Sequence, residues 1–418
     1  MSGPVDLAAL RAPPLAERES QAGVRALPAN IAKNPRLSRW LDLEQRGKVT
    51  VRTGKVELGQ GVVTALAQIV AEELDVDLAR IAMVRADTST SPHEGTTTGS
   101  LSIPEGGAAL RCAGAAARRL LLDQAATMLG FRRDELRIDD GRISAPGGAA
   151  LDYWDVYHPA LFDCDIAVDT EPKPPAAYRL VGASARRLDI PGKLCGHPSF
   201  VHDLCAPGML FGRAVRPTRL GAALARVDET RAAALPGVQA IVRDGSFLGV
   251  LAEREEVAVE AARRLALDSE WSGGVAMPEP AALEEFLRGS VSRTITVVDE
   301  PGNLGGGRRF RAKYFRPFVA HASIGPSAAA ARFDGERLWV WSHTQGVFGL
   351  RHDLPSRCAW TSRKSWSRTW TVPVATATTA PTTWHSTRRF WRARHRTGWS
   401  RCNGRARTSS AGRRSAPR

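Results

Sequence analysis

The chain contains no run of about eighteen apolar residues, so no helix in it is expected to cross a membrane. Its start, MSGPVDLAALRAPPLAERES, has neither a basic opening nor an apolar centre and no twin-Arg pair, which argues against an export signal and points to the cytoplasm. Cysteine is sparse: six residues, at 112, 164, 195, 205, 358 and 402, with no C-x-x-C pair. Cys195-Gly196-His197 with His202 and Cys205 fits no common zinc spacing, and Pro198 and Pro207 mark irregular chain between them. These residues are therefore assigned to loop or core, and no metal ligand is assigned.

The last 64 residues lack more. From Pro355 to Arg418 there is no Asp, Glu, Leu, Ile or Met, against fourteen Arg, one Lys and six of the eleven Trp. That segment alone carries +15, the net charge of the whole chain, so residues 1–354 are neutral. A basic chain suggests nucleic acid or an anionic surface, but here the inference reaches only the tail. The tail has few aliphatic side chains and no apolar period with which to build a core. Three readings follow: an Arg/Trp arm stacking on single-stranded nucleic acid, a solvated tail, or out-of-frame translation. The third is preferred. One choice of codons for VPVATATTAPTTWHSTR, residues 372–388, spells GAGCYGHNGADDVAFDA when shifted by one base, and PSRCAWTSRKSWSRTWT becomes LALRLDVAQVVVAHVD. The shifted text regains a helical pattern, a β-branched strand and a Gly-rich turn. A frame change near Leu354 is expected, with 355–418 a disordered basic tail and nucleic-acid binding the alternative.

The neutral body is long enough for two or more domains at about 150 residues each. In KVTVRTGKVEL, Val49, Val51, Val56 and Leu58 alternate about Thr53-Gly54 and predict a hairpin. Gly59-Gln60-Gly61 follows, then Val62, Val63, Leu66, Ile69, Val70 and Leu74 at helical steps. Strand, Gly-x-Gly and helix together read either as a tight turn without a ligand or as a place where free N–H groups meet an anion such as phosphate. IAMVRADT reads as a short strand buried on both faces. SPHEGTTTGSLSI is a hydroxyl-rich loop, suited to phosphate or the polar edge of a pterin, or simply a Ser/Thr-rich surface. A helix is predicted from Ala108 to Leu129 with Gly130 as its stop, then a hairpin turn at Asp139-Asp140-Gly141.

VELGQGVVTALAQIVAEELDVDLARI followed by DTSTSPHEGTTTGSLSIPEGGAAL resembles the molybdenum-cofactor-binding subunit of the xanthine dehydrogenase and aldehyde oxidase family, in its isoquinoline oxidoreductase or nicotinate dehydrogenase branch. The likeness covers roughly residues 30–354. It implies an α+β protein with mixed α/β molybdopterin-binding segments flanking an α/β hammerhead domain. The expected segments are an extension at 1–30, part of the cofactor-binding domain at 31–150, a linker at 151–179, the hammerhead at 180–290, the start of the main cofactor-binding domain at 291–354, and the tail. By the likeness the Gly59-Gln60-Gly61 block binds the cofactor with Gln60 hydrogen-bonding it, while Gly99, Ser100 and Ser102 line its pterin and phosphate portion.

YRLVGASARRLDIPGKLCGHPSFVHDL is similar to the hammerhead opening. Independently, strands are predicted at LFGRAVRP, Val238–Val242 and Phe247–Ala252, and helices at Asp228–Leu235 and Glu253–Leu267. In RAKYFRPFVAHASIGPSAAAARF, Gly325-Pro326 stands where relatives read Glu-Pro, so a substrate-orienting carboxylate is missing; His321 is the weak substrate candidate. Val340–Gln345 is expected to run as a strand into the cofactor cavity. The resemblance implies hydroxylation of an aldehyde or N-heterocycle with oxygen from water, on a molybdenum-molybdopterin cofactor in its cytosine dinucleotide form. It also implies electron transfer to a small two-iron ferredoxin-type iron–sulfur subunit. The family's catalytic glutamate lies beyond this sequence, so no catalytic residue is assigned and the truncated chain is expected to be inactive.

Overall fold

The computed structural model describes residues 27–297, 299, 308, 310–319, 325–334 and 337–354, and the backbone at 355–358, 365–369 and 398–404. The described chain divides into two units, Met1–Leu210 with Ser323–Gly404, and Phe211–Ala322. Each mixes helices and strands, as the sequence predicts.

The first unit opens with strands β1 (Leu41–Asp42), β2 (Val49–Arg52) and β3 (Ile81–Val84). β2 pairs antiparallel with β1 and parallel with β3. The predicted hairpin is therefore corrected to a strand–helix–strand crossover through α1 (Val62–Leu74). The cause is local: beyond Arg52 the backbone donors go to side chains rather than to a ladder. Gly54 N donates to Glu94 Oε2 at 2.7 Å, Lys55 N to Thr53 Oγ1 at 3.0 Å, and Val56 N to Thr97 Oγ1 at 2.9 Å. The β3 run also departs from expectation, since only Ile81 of its four residues is buried.

Helix α2 runs from Ala108 to Leu129 as predicted and ends at Gly130, whose φ of +74° suits a residue without Cβ. Its alanines let it lie close on α1; a Cβ on Gly114 would come within 2.8 Å of Glu73 Cβ. Leu66, Val70 and Leu74 of α1 and Leu110 and Leu121 of α2 are fully buried, each worth roughly 1.5–3 kcal/mol of transfer free energy. Strands β4 (Arg137–Asp139), β5 (Arg142–Ser144) and β6 (Ala150–Asp152) form a meander on this core. The β4–β5 turn has φ of +45° at Asp140 and +77° at Gly141, the two-residue hairpin expected from the Asp-Gly pair.

The second unit carries β7 (Leu210–Val215), β8 (Ala223–Val227), β9 (Val238–Asp244), β10 (Phe247–Ala252), α3 (Glu255–Leu267) and β11 (Ser269–Ser272). β10 pairs with both β7 and β9, while β8 pairs with β11. Val215, Leu248, Val250 and Leu265 centre its core. The helix predicted at 228–235 is shorter, Thr230–Ala233, with Thr230 N on Asp228 Oδ1 at 2.9 Å.

The chain returns to the first unit as β12 (Ser327–Phe333), β13 (Leu338–Ser342) and α4 (Val347–Cys358). Within the expected irregular tail, β14 (Ser365–Thr369) pairs parallel with β13 and β15 (Gly398–Gly404) antiparallel with β12. Such pairing draws on backbone groups that any sequence possesses. The rest of the tail lies outside the described residues.

Candidate functional site

Between β2 and α1 the chain turns through Gly59 (φ +103°) and Gly61 (φ +80°), a region that favours glycine. The amides that open α1 are not free. Glu57 Oε1 accepts from Gly59 N at 2.7 Å and Gly61 N at 2.9 Å, and its Oε2 accepts from Val63 N at 3.1 Å. The anion at this helix start is the buried carboxylate of Glu57, so these N–H groups are not available to a phosphate. Gln60 folds onto its own loop, Nε2 donating to Val56 O at 3.0 Å while Oε1 accepts from Leu58 N.

The hydroxyl-rich loop faces this turn. Glu94 fixes its base, accepting from Asn30 Nδ2 at 3.2 Å and Thr53 Oγ1 at 2.5 Å. Burial raises the pKa of Glu94, and these donors offset only part of the rise. Farther on, Thr97 N donates to Gln345 O at 2.9 Å and Gln345 Nε2 donates to Thr97 O at 3.0 Å, a two-way clamp across 248 residues. Close behind β13, His343 Nδ1 sits 2.7 Å from Ala328 O, and burial lowers the pKa of the ring that anchors this strand end. Gly99 and Ser100 both take left-handed φ, +62° and +58°, which turns the loop back before the π-helical turn Ser102–Gly107.

The glycine turn, the Thr97–Ser102 loop and Gln345 line an open cavity of about 460 Å³. Among the described residues, no charged side chain lines it. The polar groups are the amides of Gln60 and Gln345 and the hydroxyls of Thr97, Thr98, Ser100 and Ser102, which both donate and accept.

Residues 22–178 match the molybdopterin cofactor-binding domain family. A nicotinate dehydrogenase subunit from Pseudomonas putida is 40% identical over 335 residues, 77% of this chain and 28% of its own length. The isoquinoline 1-oxidoreductase beta chain of Brevundimonas diminuta is 30% identical over 295 residues, 59% of this chain and 35% of its own. Over these stretches the chain is similar to molybdenum-cofactor-binding subunits of the xanthine dehydrogenase family. A further relative, the membrane-bound aldehyde dehydrogenase (pyrroloquinoline-quinone) of Gluconacetobacter polyoxogenes, is 32% identical over 263 residues, 60% of this chain and 33% of its own. The chain thus spans about a third of the length of these curated relatives.

Of the residues that the family likeness singled out, Gln60, Gly61, Gly99, Ser100 and Ser102 come together on the cavity wall. Gly59 stands behind it, its N–H turned to Glu57. His321 lies outside the described residues. Sequence reasoning missed Glu57 and Thr97, and placed Gln345 only on a strand. A carboxylate just ahead of Gly-x-Gly and a helix was the available signal for Glu57. No short-range pattern links Thr97 to Gln345.

Proposed function

We propose that this chain holds the pterin portion of a molybdenum cofactor for a hydroxylase of aldehydes or N-heterocycles, with water as the oxygen source. The observation that supports this most is the meeting of the two family blocks, far apart in sequence, on one uncharged cavity. A pterin edge alternates hydrogen-bond donors and acceptors, and the Ser100 and Ser102 hydroxyls can serve either role. Gly61 and Gly99 shape this wall with left-handed backbone, a conformation that other residues rarely adopt. These residues fit the group. When bound, the cofactor supplies the redox chemistry, and this chain's residues bind and orient it. We further propose the cytosine dinucleotide form, a two-iron ferredoxin-type partner subunit that receives the electrons, and a cytoplasmic location.

The test is to purify the full chain, measure molybdenum and pterin per chain, and repeat with Ser100→Ala/Ser102→Ala. Near-stoichiometric pterin that falls severalfold in the double variant is expected. A wild-type chain devoid of pterin overturns the reading. The composition break at residue 355 we read as a change of reading frame; sequencing the gene across the Leu354 codon decides it.

A further inference from the structure

Glu57 is a buried carboxylate whose two oxygens are spent on the amides of Gly59, Gly61 and Val63. The cation beside it is Arg187, with Nη2 at 3.6 Å from Oε1. Arg187 also donates from Nη1 to Gly59 O at 2.8 Å, and its stem lies 3.7 Å from where a Cβ on Gly61 would stand. The guanidinium is aimed by a bidentate pair with Asp189, Nε at 2.9 Å and Nη2 at 2.7 Å, and Lys193 Nζ holds Asp189 from the other side at 2.5 Å. Leu188 N donates to Thr64 Oγ1 at 2.9 Å, tying the same segment to the first turn of α1. Alternating charges thus run from Lys193 to the glycine turn, and none of them lines the cavity that the turn serves.

We propose that Glu57 and Arg187 are positioning residues, a charge relay from segment 187–193 that presets the Gly59–Gly61 turn for the pterin. The inference rests on the cofactor reading above. Charge-assisted bonds at both ends set the turn before any ligand arrives, which lowers the ordering needed on binding. The ligand's own phosphate is kept off this helix start, since the amides there already face a carboxylate.

Amide hydrogen exchange of the full chain, read alongside its pterin content, tests this in Arg187→Ala, Arg187→Lys and Glu57→Ala. Exchange at residues 59–63 should rise about tenfold or more in both alanine variants. Exchange at 66–74 should stay unchanged, pterin content should fall in parallel, and Arg187→Lys should restore part of both. Unchanged exchange in Arg187→Ala overturns the relay, and faster exchange with full pterin content overturns its link to the cofactor. A wild-type chain without pterin refutes the cofactor assignment, and with it the relay's purpose, while exchange still decides whether the relay holds the turn.

Discussion

The carboxylate of Glu72, in the last turn of α1 and away from the glycine turn, accepts three consecutive backbone donors: Arg179 N at 2.8 Å, Leu180 N at 2.5 Å and Val181 N at 3.0 Å. Burial alone would raise its pKa, but these amides outweigh burial and leave it below the ordinary 4.5. A depressed carboxyl contributes stability above its unfolded value and loses it as pH falls through the folded one. Glu72→Gln is therefore expected to cost about 1–2 kcal/mol at neutral pH. In urea titrations across pH, the gap from wild type should shrink toward zero as acid protonates the wild-type carboxyl; a gap constant with pH would refute this. Neighbouring Glu73 contrasts with it. Burial raises its pKa despite Lys173 N, Arg118 and Arg111, so the pKa values of adjacent identical residues are shifted in opposite directions.

At the scale of elements, Gly114 in the middle of α2 separates propensity from packing. An exposed helix interior would gain about 1 kcal/mol from Gly→Ala. Here the added Cβ would meet Glu73 Cβ at 2.8 Å, and Glu73 is itself held by Arg111 and by Lys173 N. Gly114→Ala is expected to destabilise by roughly 1–3 kcal/mol, read as a lower Tm, and a stabilised variant would show that α1 and α2 are not so close. Both helices were legible because their apolar spacing is long and their stops are local. The hairpin was misjudged because the acceptors that draw residues 54–56 out of the sheet, Glu94 and Thr97, lie about forty positions on. β8 and β11 went unseen, since ALARV and SEWS carry little alternation and owe their pairing to each other. The site was legible where a motif is contiguous, as at Gly59–Gly61 and Gly99–Ser102. It was illegible at the Thr97–Gln345 clamp, which only folding creates.

At the scale of the molecule, each unit has its own apolar centre, Trp40, Tyr153 and Phe162 being fully buried in one and Leu248 and Leu265 in the other. Leu248→Ala should cost about 2–5 kcal/mol. Faster hydrogen exchange should be confined to peptides from β7, β9, β10 and α3, and equal acceleration across α1 and α2 would show a single cooperative body. The uncharged wall of the cavity has a different consequence. Ions in solution screen charges, and the described residues offer a ligand none at the point of contact. Whatever ring settles against Ser100 and Ser102 should be gripped equally firmly in dilute buffer and in brine.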